Sequence, residues 1–169
     1  MNDIKGYLGK HTFIENVMKK IYLLILGLSP LLSYSQTYSE LMWIVGENDF
    51  KRVMIENDFQ FDTILDGTII YGYNLVKDSK EGSKSLVWGG YNKNGVWKLQ
   101  FADKKTLIYR FGQYEQIVAS IKEKCDYVDV IGVDGIDYVV YNCIESRFEG
   151  DIGFVIYDGS GLIRYFPKE

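Results

Sequence analysis

Two stretches of this chain carry the same punctuation in the same order, and that order constrains the fold more than any single residue. Residues 41–55 laid over 107–121 match Leu41 with Leu107, Gly46 with Gly112 and Ile55 with Ile121, while Trp43 faces Tyr109. Asp66-Gly67 then matches Asp134-Gly135, and Tyr73-Asn74 matches Tyr141-Asn142, after a two-residue insertion. Tyr91-Asn92-Lys93-Asn94-Gly95-Val96-Trp97-Lys98 finally matches Tyr157-Asp158-Gly159-Ser160-Gly161-Leu162-Ile163-Arg164 in the original register. Self-similarity of this kind fixes an architecture before any local pattern does. The repeats run over 41–103 and 107–169.

Each copy reads alike. A segment with helical apolar spacing (47–57 and 113–124) leads into a short alternating strand, Phe59-Gln60-Phe61 or Tyr127-Val128-Asp129-Val130. An Asp-Gly pair closes a hairpin turn. The return strand runs from Thr68 to Leu75 or from Ile136 to Cys143. After a polar loop comes a second hairpin, 85–91 with 96–101 or 151–157 with 162–166. The expected fold is therefore α+β: two tandem helix-plus-antiparallel-meander repeats forming one sheet of about eight strands, with the helices on one face. Gly89-Gly90 falls inside a strand pattern, where a bulge or close backbone packing accounts for it. The arrangement resembles the tandem repeats of β-lactamase-inhibitor-like proteins, and more loosely small periplasmic modules of the PepSY type. That resemblance lies in element order across residues 36–169; it implies an architecture and carries no site residue across.

The N-terminal region supplies an address. Met18-Lys19-Lys20 precedes the apolar run Ile21–Leu28, and Ser33-Tyr34-Ser35 puts small residues where a signal peptidase cuts. Residues 1–35 read as a signal peptide region with its true start at Met18 and cleavage after Ser35. A longer basic leader carrying Lys5 and Lys10 would be exported equally, and an uncleaved anchor is the other alternative. The mature chain, 36–169, fits a single domain. Removing the leader takes four Lys and two acids, leaving 15 basic and 21 acidic residues and a net charge of −6. The expected location is secreted or periplasmic, with no stable membrane insertion after cleavage. That acidity argues against nucleic acid as a partner, which demands a basic patch.

Cys125 and Cys143 are an even pair in an exported chain, hence a disulfide candidate, with two buried thiols as the alternative. Their counterparts in the first repeat are Phe59 and Leu75, both apolar.

The only histidine, His11, lies in the leader. Without it, Ser-His-Asp, Cys-His and His-ligated metal sites are unavailable to the mature chain. No phosphate-cradling glycine loop is present. No metal and no cofactor are expected. The acidic groups around the helices and turns (Glu47, Asp49, Glu56, Asp58; Asp126, Asp129, Asp134, Asp137) are explained by solvated faces. Asn92–Gly95 and Asp158–Gly161 have a faint likeness to calcium loops but lack the terminal Glu.

A binding face is the better expectation. If Leu75, Leu86, Trp88, Trp97 and Leu99 face the helices, period-two alternation leaves Asn74, Tyr91, Lys98 and Gln100 on the open face. The second repeat adds Tyr138, Asn142, Tyr157, Arg164 and Phe166 there. Tyr and Arg are the residues that anchor interfaces, although Tyr on an exposed strand is also good cross-strand chemistry. The function expected is a non-enzymatic module that recognises a protein, peptide or envelope ligand through this face. A small carboxylate-dependent hydrolase of glycan or cell-wall material, and a purely structural envelope protein, are the alternatives.

Overall fold

The computed structural model describes residues 37–78, 82–102 and 111–168, without the side chains of Phe111 and Gly112. The expected leader, together with Leu107 and Tyr109, lies outside the described residues. Among the described residues there are three helices: α1 (Tyr38–Leu41), α2 (Glu47–Glu56) and α3 (Phe111–Lys124). The strands are β1 (Phe59–Leu65), β2 (Thr68–Tyr73), β3 (Val76–Asp78), β4 (Gly82–Lys84), β5 (Val87–Asn92), β6 (Trp97–Phe101), β7 (Asp126–Val133), β8 (Ile136–Asn142), β9 (Gly150–Tyr157) and β10 (Ser160–Pro167). Eight of them form one antiparallel sheet in the order β1-β2-β5-β6-β10-β9-β8-β7, while β3 and β4 make a separate hairpin. The α+β class and the large sheet match the expectation. Helix α1 and the β3–β4 hairpin do not figure in it.

Local chemistry explains the elements. Thr37 and Glu40 close a capping box at α1, with the Thr37 amide donating to Glu40 Oε2 at 2.7 Å. In α2, Glu47 and Asp49 sit in the first turn, where carboxylates suit the helix dipole, and Phe50, Val53 and Met54 are buried. Asp66-Gly67, Asp134-Gly135 and Asp158-Gly159 all hold positive φ at both residues, which suits the two-residue hairpin turns they close.

The helices cover one face. On β5, Val87, Gly89 and Tyr91 point towards them; on β6, Trp97, Leu99 and Phe101 do so. Ile152, Phe154, Ile163 and Tyr165 continue that core across β9 and β10, beneath Tyr114, Ile117 and Ile121 of α3. A Cβ on Gly89 would lie 2.6 Å from the Met54 sulfur, so the missing side chain lets α2 settle onto the sheet. Cys125 and Cys143 form a disulfide that ties the end of α3 to the end of β8.

Both sheet edges are interrupted. The β1–β2 register shifts between Phe61 and Thr63, and the β7–β8 register between Tyr127 and Asp129. At the first shift Lys77 of β3 donates to the carbonyls of Phe61 (3.3 Å) and Asp62 (3.2 Å).

The face away from the helices is not uniformly open. Strand β8 pairs with β9 only from Val139 to Asn142, so the tip of the β7–β8 hairpin leaves the ladder. There Tyr138, Val140 and Leu162 form a second, smaller core with Ile131, Val155 and Phe166. Gly153 makes room for it, since a Cβ there would lie 2.6 Å from the Phe166 ring.

Candidate functional site: a groove on the open face

Beside that second core, the face carries a groove of about 480 Å³ over β1, β2, β5, β6 and β10. Ile70, Trp88 and Val96 supply apolar surface, and Thr63, Thr68, Asn92 and Gln100 interleave hydrogen-bonding groups. The volume falls in the range of sites for small molecules and short peptides.

Its floor holds two cations. Arg164 and Lys98 are direct cross-strand partners on β10 and β6. Neither is ion-paired with a carboxylate among the described residues. Burial pulls the Lys98 pKa down, and the neighbouring Arg164 charge adds to the depression, while Asp134 opposes it weakly. The Arg164 guanidinium lies 5.5 Å from the Phe166 ring centroid and beside the Tyr138 hydroxyl. Burial raises the Tyr138 pKa, and the Arg164 charge works against that rise. The Arg164 Nε is buried without a hydrogen-bond partner among the described residues. Among the described residues the one carboxylate on the groove wall, Asp62, is already engaged, accepting from Ser83 Oγ at 2.7 Å and facing Lys77 Nζ at 3.6 Å.

The structure brings together only some of the expected site residues. Lys98 and Arg164 share the groove floor, and Tyr138 packs next to Arg164 in the second core. Tyr157 is exposed at the end of β9. Asn142 donates to Asp151 Oδ1 at 2.7 Å and borders a different hollow with Cys143 and Ser146. Asn74 is an exposed turn residue at φ 51.

Three face assignments are corrected. Tyr91 is buried on the helix side with its ring centroid 5.5 Å from that of Phe50, whereas Trp88 lines the groove. The cause is local: Gly89 must face α2, and alternation then turns Trp88 outward. The ungapped match of Tyr91 to Tyr157 also fails physically. The ladder closes at Tyr91↔Trp97 in one hairpin and at Tyr157↔Ser160 in the other, so the two connections differ by three residues. An odd difference flips a strand's faces. Leu75 likewise packs over Gly72, which alternates with the helix-facing Tyr71 and Tyr73.

The acidic groups lie elsewhere, on surfaces. Glu47 pairs with Lys51, and Arg52 lies between Asp49 and Glu56. Among the described residues no cluster of three potential metal ligands occurs. Asn92 Oδ1 accepts from the amides of Asn94 and Val96, which makes the 92–95 segment a self-bonded turn. Sequence reasoning missed Trp88, Thr68 and Ile70 as groove residues; the glycine that must meet the helix was the signal that finds the first.

No protein-family model matches this chain, and neither a curated protein nor a solved structure matches it.

Proposed function

We propose that this chain is an exported binding module that takes a peptide segment of a partner into the groove on its open sheet face. The observation that carries this reading is the groove itself: a concave surface of about 480 Å³ with apolar and hydrogen-bonding side chains interleaved. Export rests on the leader pattern at Met18–Ser35, and the Cys125–Cys143 disulfide together with the lack of a membrane-crossing helix among the described residues is compatible with it. A duplicated ancestry, of the kind the tandem-repeat resemblance implies, is supported by a strand order that reads inward from each edge in the same succession. The hydrolase reading finds no second carboxylate among the described residues of the groove.

A peptide library displayed with free C-termini and panned on the full chain tests the proposal. Enriched peptides should perturb amide resonances of β2, β5 and β6 and lose affinity in Trp88→Ala at unchanged fold. Equal binding to that variant, or perturbations confined to the helix face, would overturn it.

A further inference from the structure

We infer that the groove's ligand is anchored by a carboxylate, the free C-terminus of a peptide with an apolar last residue, held between Lys98 and Arg164. The inference rests on the groove being a peptide site and adds what the site reads.

Two like charges directly opposite each other on adjacent strands destabilise a sheet. Here they are cross-strand partners with no described carboxylate paired to either, on a face partly withdrawn from water. An anion seated between them would remove the repulsion and give both cations a partner. The planar fork of Arg matches the two oxygens of a carboxylate, and Lys98 adds a point charge alongside. The Arg164 Nε, buried without a partner, is a donor that a ligand oxygen would satisfy after a small side-chain adjustment.

The surroundings choose among anions. The chain is acidic overall, and Asp134 lies close enough to act on both Lys98 and Tyr138. A polyanion would meet that field, whereas a single carboxylate on an apolar body meets only the local pair. The rest of the groove favours a peptide over an acyl chain. Thr68 and Gln100 offer donors and acceptors that an alkyl chain would leave unsatisfied and that peptide amides would engage. Trp88 and Ile70 provide the apolar surface for the last side chain.

The test uses the full chain and synthetic tetrapeptide pools ending in Leu, Ile, Val or Phe, one pool with free C-termini and one amidated, with octanoate as a third probe. Binding is read by titration of backbone amide resonances. The free-acid pool should bind at the groove, and amidation should weaken it by about tenfold or more, the loss expected of charge-assisted hydrogen bonds. Lys98→Met and Arg164→Gln should each erase most of the acid-over-amide preference. Arg164→Lys should restore part of it, since charge returns without the fork. Equal binding of acid and amide pools overturns the carboxylate anchor and leaves the peptide groove standing. Binding of octanoate alone, or of no probe, overturns both.

Discussion

The two halves of the open sheet face begin from similar hairpins and end differently. On the first half, β2 stays in register with β5 over six residue pairs, and the face remains a groove. On the second, β8 follows β9 for only four, and the freed hairpin tip contributes Tyr138 and Ile131 to a buried cluster. The difference teaches that where a hairpin leaves its neighbour decides whether a sheet face becomes a site or a core. The filled half then serves the open one, because Tyr138 and Phe166 flank Arg164 from the cluster side.

Three comparisons probe this contrast, the largest effect first. Tyr138→Ala should destabilise the fold by about 3–5 kcal/mol, as for a large aromatic lost from a core, because Tyr138 is 1% exposed. Trp88→Ala, on the half-buried groove surface, should cost less than half as much. Urea denaturation of both variants measures the gap, and equal costs would mean that the two halves of the open face are not built differently.

Removing the staple comes next. The Cys125→Ser/Cys143→Ser pair should lose about 3 kcal/mol on the chain-entropy model, since the bond closes a sequence separation of 18. Among the described residues the first half carries no such cross-link. Hydrogen exchange should therefore rise in α3 and β8 before β1 and β2; uniform loosening would contradict a local role.

The smallest effect has the opposite sign. Lys98→Met should stabilise the free protein by about 0.5–1 kcal/mol by removing a like-charge cross-strand pair. Burial and Arg164 lower the Lys98 pKa from 10.5, so the folded state binds that proton more weakly than the unfolded chain. The penalty is full below the lowered folded pKa and fades as pH rises through it towards 10.5. Stability curves for the two proteins should consequently converge at alkaline pH, and a gap that stays constant would assign the gain to packing.

Much of the sheet was legible in the chain because turn chemistry is local. The Asp-Gly pairs at 66–67, 134–135 and 158–159 need positive φ, and each sits where a hairpin closes. The groove was only half legible. Lys98 and Arg164 followed from alternation on strands whose faces were assigned correctly, but Tyr91 and Trp88 were exchanged. Period two gives the alternation and leaves its phase to be fixed by an outside contact. On β5 that contact is α2 against Gly89. The second core was invisible for another reason: the early departure of β8 from β9 is a tertiary event that no run of residues announces. Helix α1 and the β3–β4 hairpin are too short to carry a periodic signal.

The register shifts on β1 and β7 bear on a hazard that every open sheet faces. An eight-stranded sheet with two free borders is half of a fibril contact, and β1 exposes Phe61, Ile64 and Leu65 while β7 exposes Tyr127, Val128 and Val130. A stranger strand arriving at either border meets a ladder out of step, and at β1 it also meets a lysine already occupying two carbonyls. Polymerisation is thereby discouraged where the molecule is stickiest. A chain that folds among crowded neighbours gains in those two borders a guard against joining them.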